Sequence, residues 1–64
     1  MKRRDLIKHL AAHGCRFERE GSDHSIWENP ANGRRTAIPR HTEIAARTAR
    51  RICKQLEVKP PKFA

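Results

Sequence analysis

The stretch "EREGSDHSIWENPANGRRTAIPRH", Glu18 to His41, holds two turn signals with an extended segment on either side of each. Gly21-Ser22-Asp23 is the first, because glycine and short hydrogen-bonding side chains suit a tight reversal. Pro30-Ala31-Asn32-Gly33 is the second, closing a hairpin through its Asn-Gly pair. Between them His24 to Asn29 reads as a strand, and Arg34 to Ile38 reads as the next. Pro39 has no amide to give to a ladder, so that strand should stop there. Upstream, Cys15 to Glu20 alternates, with Cys15 and Phe17 on one side and Arg16 and Glu18 on the other. Three strands joined by turns this short predict an antiparallel meander.

Working outward, Leu6, Ile7, Leu10 and Ala11 recur at the helical period from Arg4 to His13, and Gly14 stands where a left-handed cap would end that helix. A second helix is predicted from about Ile44 to Leu56. Its inner stripe is Ala45, Ala49, Ile52 and Leu56, and Arg47, Arg50, Arg51 and Lys54 line the opposite one. Thr42 is placed to cap its start, with Glu43 in the first turn, and Pro60-Pro61 forbids continuation. The expected fold is α+β, in the order α-β-β-β-α, with both helices on one face of a three-stranded sheet and the other face open.

With 64 residues the chain has room for a single small domain, 1–64, ending in a tail from about residue 59. Its large apolar side chains are few, so Leu6, Ile7, Leu10, Phe17, Ile26, Trp27, Ile38, Ile44, Ile52, Leu56, Val58 and Phe63 are all core candidates. Fifteen Lys and Arg against seven Asp and Glu give a net charge of +8 and a pI of about 10.8, which draws the domain to polyanions, nucleic acid above all, or to an acidic protein. No apolar run is long enough for a spanning helix or a signal peptide, so no membrane role and a cytoplasmic location are expected. Cys15 and Cys53 share no ligand spacing and read as small buried residues in a reducing compartment. His9 and His13 have the i, i+4 spacing of a helical metal pair, but no third ligand accompanies them, so no metal and no cofactor are expected.

Period-two geometry separates His24, Ile26 and Glu28 from Ser25, Trp27 and Asn29. Assigning the only Trp to the core puts His24 on the open face. An exposed imidazole beside many cations suits RNA cleavage, because a base can take the 2′-hydroxyl proton, the substrate supplies its own nucleophile and cations hold the phosphate charge. On the residues alone His24 reads equally as a turn filler or a solvent contact. Ser22 reads as a turn hydroxyl rather than a nucleophile, and Asp23 as a turn residue or a partner for the ring. Arg34, Arg35 and Arg40 flank the hairpin as guanidinium forks for phosphate, or as a solvated face. The stripe Arg47, Arg50, Arg51 and Lys54 offers an RNA-backbone surface, an acidic-partner surface or a plain solvated one.

Taken together, "GSDHSIW", "NGRRTAIPRH" and "ARRICKQLEV" resemble the HicA family of toxin components from bacterial toxin-antitoxin systems. The resemblance runs from the opening helix through Val58. It implies a double-stranded-RNA-binding-domain-like fold used as a metal-independent endoribonuclease that cleaves mRNA, held inactive by a HicB-type antitoxin. It implies His24 as the catalytic residue, general base or acid; for such an enzyme the turn residue Ser22 and the cations Arg34, Arg35, Arg40, Arg47, Arg50, Arg51 and Lys54 are, from their charge and placement, the expected RNA or phosphate contacts. Many relatives place the histidine directly after Gly-Ser, whereas here Asp23 intervenes, as a polar residue does in another branch. His41 matches the family's Pro-Arg-His stretch, as a second proton donor or as a loop residue. The rival readings are a non-catalytic RNA-binding module on the same fold and a pure protein-interaction domain.

Overall fold

The computed structural model describes residues 1–62, so Phe63, a core candidate, lies outside the described residues. Helix α1 spans Arg3–Ala12, strands β1, β2 and β3 span Arg16–Glu20, His24–Asn29 and Arg34–Pro39, and helix α2 spans Ala46–Leu56. The sheet order is β1-β2-β3 and both pairings are antiparallel, the expected meander. Pro39 is the last residue of β3, an edge strand, where a missing amide costs no ladder bond.

Cross-strand partners share a face of the sheet, so the register sorts the side chains. Ser25 pairs with Ile38, Trp27 with Thr36 and with Phe17, and these line the helix side. His24 opposite Pro39, Ile26 opposite Ala37 and Glu28 opposite Arg35 line the other. The core is Leu6 and Leu10 from α1, Ile38 from β3, Ile44, and Ala49, Ile52, Cys53 and Leu56 from α2, with Cys15 beneath them. Trp27, Ile7 and Val58 pack on it half-buried. Phe17 departs from the expected core: it is 49 % exposed, because β1 is an edge strand that the helices do not cover, and it stands edge-on to Trp27 at 6.3 Å. Ala45, expected on the inner stripe, is exposed because it precedes the helix proper. Ile26 is half-buried on the open face. The ladder also slips between Phe17 and Arg19, a bulge that brings Arg19 opposite Ile26 on the open face.

Gly14 ends α1 at φ +87°, with its amide donating to the Ala11 carbonyl and the Cys15 amide to that of Leu10, both at 3.0 Å. Helix α2 starts two residues later than the periodicity implies, and Thr42 does not cap it. Its backbone is used elsewhere: the Arg3 amide donates to the Thr42 carbonyl and the Ile44 amide to that of Met1, both at 2.8 Å, so residues 1–3 pair with residues 42–44. After α2 the chain returns along α1, where His9 Nε2 donates to the Lys59 carbonyl at 2.7 Å and Pro61 is buried. No described helix is long and apolar enough to cross a membrane.

Candidate functional site

The turn before β2 is built tightly. The Gly21 amide donates to the His24 carbonyl at 2.7 Å, and a Cβ on Gly21 would stand 3.1 Å from that same oxygen, so a side chain here would push the turn open. His24 emerges as the first residue of β2 and is exposed. Its neighbour Ser25 points the opposite way and is 3 % exposed. The Ser25 hydroxyl donates to Glu20 Oε1 at 2.6 Å and accepts from Arg3 Nη2 at 2.8 Å, while Arg3 Nε donates to the Pro39 carbonyl at 2.8 Å. Arg40 closes the set by pairing with Glu20 and donating to the Gly21 carbonyl at 2.8 Å. Charge-assisted bonds therefore fix the backbone on both sides of His24, while its ring stays in solvent.

His24 lines a cleft of about 390 Å³ together with Pro39, His41, Glu43, Ile44, Ala45 and Thr48. Two more clefts adjoin it. One, of about 430 Å³, is lined by Lys2, Arg3, Arg4, Arg40, Thr42 and Glu43, and shares Glu43 with the first. The other, of about 380 Å³, is lined by Arg47, Thr48 and Arg51, and shares Thr48. The shared residues link the three clefts into a stepped depression, in which two imidazoles line the central cleft and cations line each of the other two. The first turn of α2 meets the central cleft through Ala45 and Thr48, and no side chain caps its amides, so the positive end of that helix adds to the field there.

Of the residues singled out in the sequence as site candidates, His24, His41, Arg40, Arg47 and Arg51 gather along this depression. Ser22 is exposed in the turn beside it, and Arg50 and Lys54 are exposed on α2. Arg34 and Arg35 are elsewhere. Arg34 pairs with Glu57 at 3.0 Å beyond the far end of the hairpin, and Arg35 pairs with Glu18 and, at 3.4 Å, with Glu28. The Arg35 hydrogen bond holds the Glu18 carboxyl below the usual carboxylate range and pushes the guanidinium further up. On the open face Glu28 is clasped from both neighbouring strands, by Arg35 and by Arg16 at 3.0 Å. That face is therefore charge-compensated instead of freely basic. Lys2, Arg3, Arg4 and Thr48 line the depression without having stood out in the sequence, and Glu43, expected in the first turn of the second helix, lies before it and lines the depression instead; the run Lys2-Arg3-Arg4 was the available signal, but its approach to Thr42 and Glu43 joins chain segments some 40 residues apart.

Cys15 and Cys53 are both free and buried, as expected, and burial pushes both thiols up. Among the described residues no three His, Cys, Asp or Glu side chains converge as a metal site. The His9 and His13 rings lie 4.3 Å apart, and His13 Nδ1 donates to the His9 carbonyl at 2.9 Å. In comparison with known proteins, the model of one family, the HicA toxin of bacterial toxin-antitoxin, matches residues 3–58. No curated protein and no solved structure gives a match.

Proposed function

This chain belongs to the HicA toxin family of bacterial toxin-antitoxin systems, and we propose on that premise that it is a metal-independent endoribonuclease that cleaves mRNA and is neutralised by a HicB-type antitoxin. His24 takes the proton of a ribose 2′-hydroxyl, and the freed oxygen attacks the adjacent phosphorus. The 5′-oxygen leaves, so one fragment ends in a 2′,3′-cyclic phosphate and the other begins with a 5′-hydroxyl. Cations stabilise the charge that gathers on the phosphate in transit, with Lys2 and Arg4 at one end of the depression and Arg47 and Arg51 at the other.

The observation that supports this reading is the position of His24: an exposed ring on a rigidly held backbone, in a cleft with cationic clefts on both sides. A merely structural histidine has no need of that company. The chemistry asks only for a proton acceptor, a proton donor and phosphate-binding cations, all of which side chains can supply.

Incubation of the purified protein with a single-stranded RNA oligonucleotide in excess chelator tests the proposal. The expected result is cleavage with cyclic-phosphate ends, abolished in His24→Ala. RNA that stays intact at high protein concentration overturns it, as does a His24→Ala variant that cuts at the wild-type rate. Salt-sensitive RNA binding without cleavage, indifferent to His24→Ala, would instead identify a binding module.

A further inference from the structure

A single imidazole cannot both accept and donate a proton within one displacement, so the reaction with His24 as base lacks its acid. We propose that His41 is that acid, protonating the departing 5′-oxygen. The inference rests on the ribonuclease reading and adds the second catalytic residue to it. His24 and His41 line one cleft. His24 lies directly opposite Pro39 in the β2–β3 ladder, and His41 follows two residues later. Cross-strand partners have Cα atoms about 5 Å apart, and two residues of extended chain add at most about 7 Å. Two side chains of imidazole length are long enough to span that interval with one phosphodiester between them. The cleft, at about 390 Å³, falls within the size range of small-ligand sites and can admit a sugar-phosphate unit.

His41 is exposed in the loop between β3 and α2, and that loop is anchored on both sides of it. Before it, Arg40 holds Glu20 and the Gly21 carbonyl; after it, the Thr42 carbonyl and the Ile44 amide are bound to the N-terminal residues. An exposed loop residue with no packing duty has little reason to be so firmly placed, whereas a proton donor has every reason.

The step balances without a co-reactant. The 2′-oxygen to hydrogen bond breaks and the proton passes to neutral His24, while the bond from the 2′-oxygen to phosphorus forms. The phosphorus to 5′-oxygen bond breaks, and the 5′-oxygen receives the proton of cationic His41. Exchange with solvent then returns both rings to their starting states.

The test compares wild-type, His24→Ala and His41→Ala proteins on two RNA oligonucleotides, one ordinary and one whose scissile 5′-oxygen is replaced by sulfur. A thiolate leaves without protonation, so the sulfur substrate needs a base but no acid. We expect His41→Ala to lose about 10²–10⁴-fold on ordinary RNA, the usual worth of a general acid, and to approach the wild-type rate on the sulfur substrate. His24→Ala should stay slow on both. Recovery on sulfur also shows that the variant is folded. A His41→Ala rate near wild type on ordinary RNA, or a loss equal on both substrates, overturns the role of His41 and leaves that of His24 standing. If the wild-type protein cuts neither substrate, the ribonuclease reading falls and the inference falls with it.

Discussion

At the scale of single residues, ionisation chemistry separates into a solvent-facing site and a set of ion pairs. Glu18 belongs to the second. Arg35 holds its carboxyl below the usual 4.5, chiefly through their hydrogen bond. A carboxyl depressed on folding stabilises the fold above its unfolded value and loses that contribution as the pH drops through its folded value. Urea midpoints of wild type and Glu18→Gln should therefore differ by a constant amount near neutrality and converge as the pH falls below about 4.5. A gap that persists in strong acid would mean that Arg35 and Glu18 do not form the stabilising pair. The side of the sheet that His24 occupies followed from assigning the only Trp to the core, since adjacent apolar Ile26 and Trp27 compete for that side and hydropathy alone does not choose between them. The exposure of Phe17 was not: period-two patterning says which side of a strand a residue occupies, but not whether any helix lies over that part of the sheet.

At the scale of elements, the β2–β3 hairpin does more than reverse the chain. Asn29 is buried and donates its side-chain amide to the Leu56 carbonyl at 2.8 Å, while its own Oδ1 accepts from the Ala31 amide at 3.1 Å. Asn32 reaches the same Leu56 carbonyl at 3.1 Å. One loop therefore caps the C-terminus of α2, which stops at Glu57 in the left-handed region at φ 57°, three residues before Pro60. Asn29→Ala removes both bonds of a buried amide and should cost about 2 kcal/mol. For a domain of this size that corresponds to a melting temperature lower by roughly 10 °C, measurable by thermal circular dichroism. A shift of only a degree or two would show that Asn32 alone suffices as the cap. The stop signal at Gly14 could be read from the sequence because it acts through neighbours in the chain. The late start of α2, the tie between residues 1–3 and 42–44, and the use of Asn29 as a distant cap could not, since each depends on partners brought together only by the finished fold.

At the scale of the whole molecule, the net charge of +8 is distributed by element. The arginines in ion pairs, Arg16, Arg19, Arg34, Arg35 and Arg40, all lie in the sheet or directly after it. The remaining lysines and arginines among the described residues, from Lys2 to Lys8 and from Arg47 to Lys62, belong to the two helices and the segments flanking them, and none is paired with a carboxylate there. Composition announced a polyanion partner but not where it would lie, since a sum of charges is blind to which ones are already neutralised. Unpaired cations attract phosphate without first giving up a carboxylate, so RNA should run along the helix starts, past His24 and His41, and not over the open sheet. Counterion release makes this measurable: for single-stranded RNA, every phosphate that a variant no longer neutralises flattens the plot of log affinity against log salt by about 0.7. In a His24→Ala background that binds without cutting, Arg47→Ala with Arg51→Ala should reduce the slope by about 1.4 if each guanidinium neutralises one phosphate. The same background with Arg16→Ala and Arg19→Ala, on the compensated face, should leave it unchanged. The opposite pattern would place the transcript on the open sheet and remove the cationic ends of the depression from the mechanism.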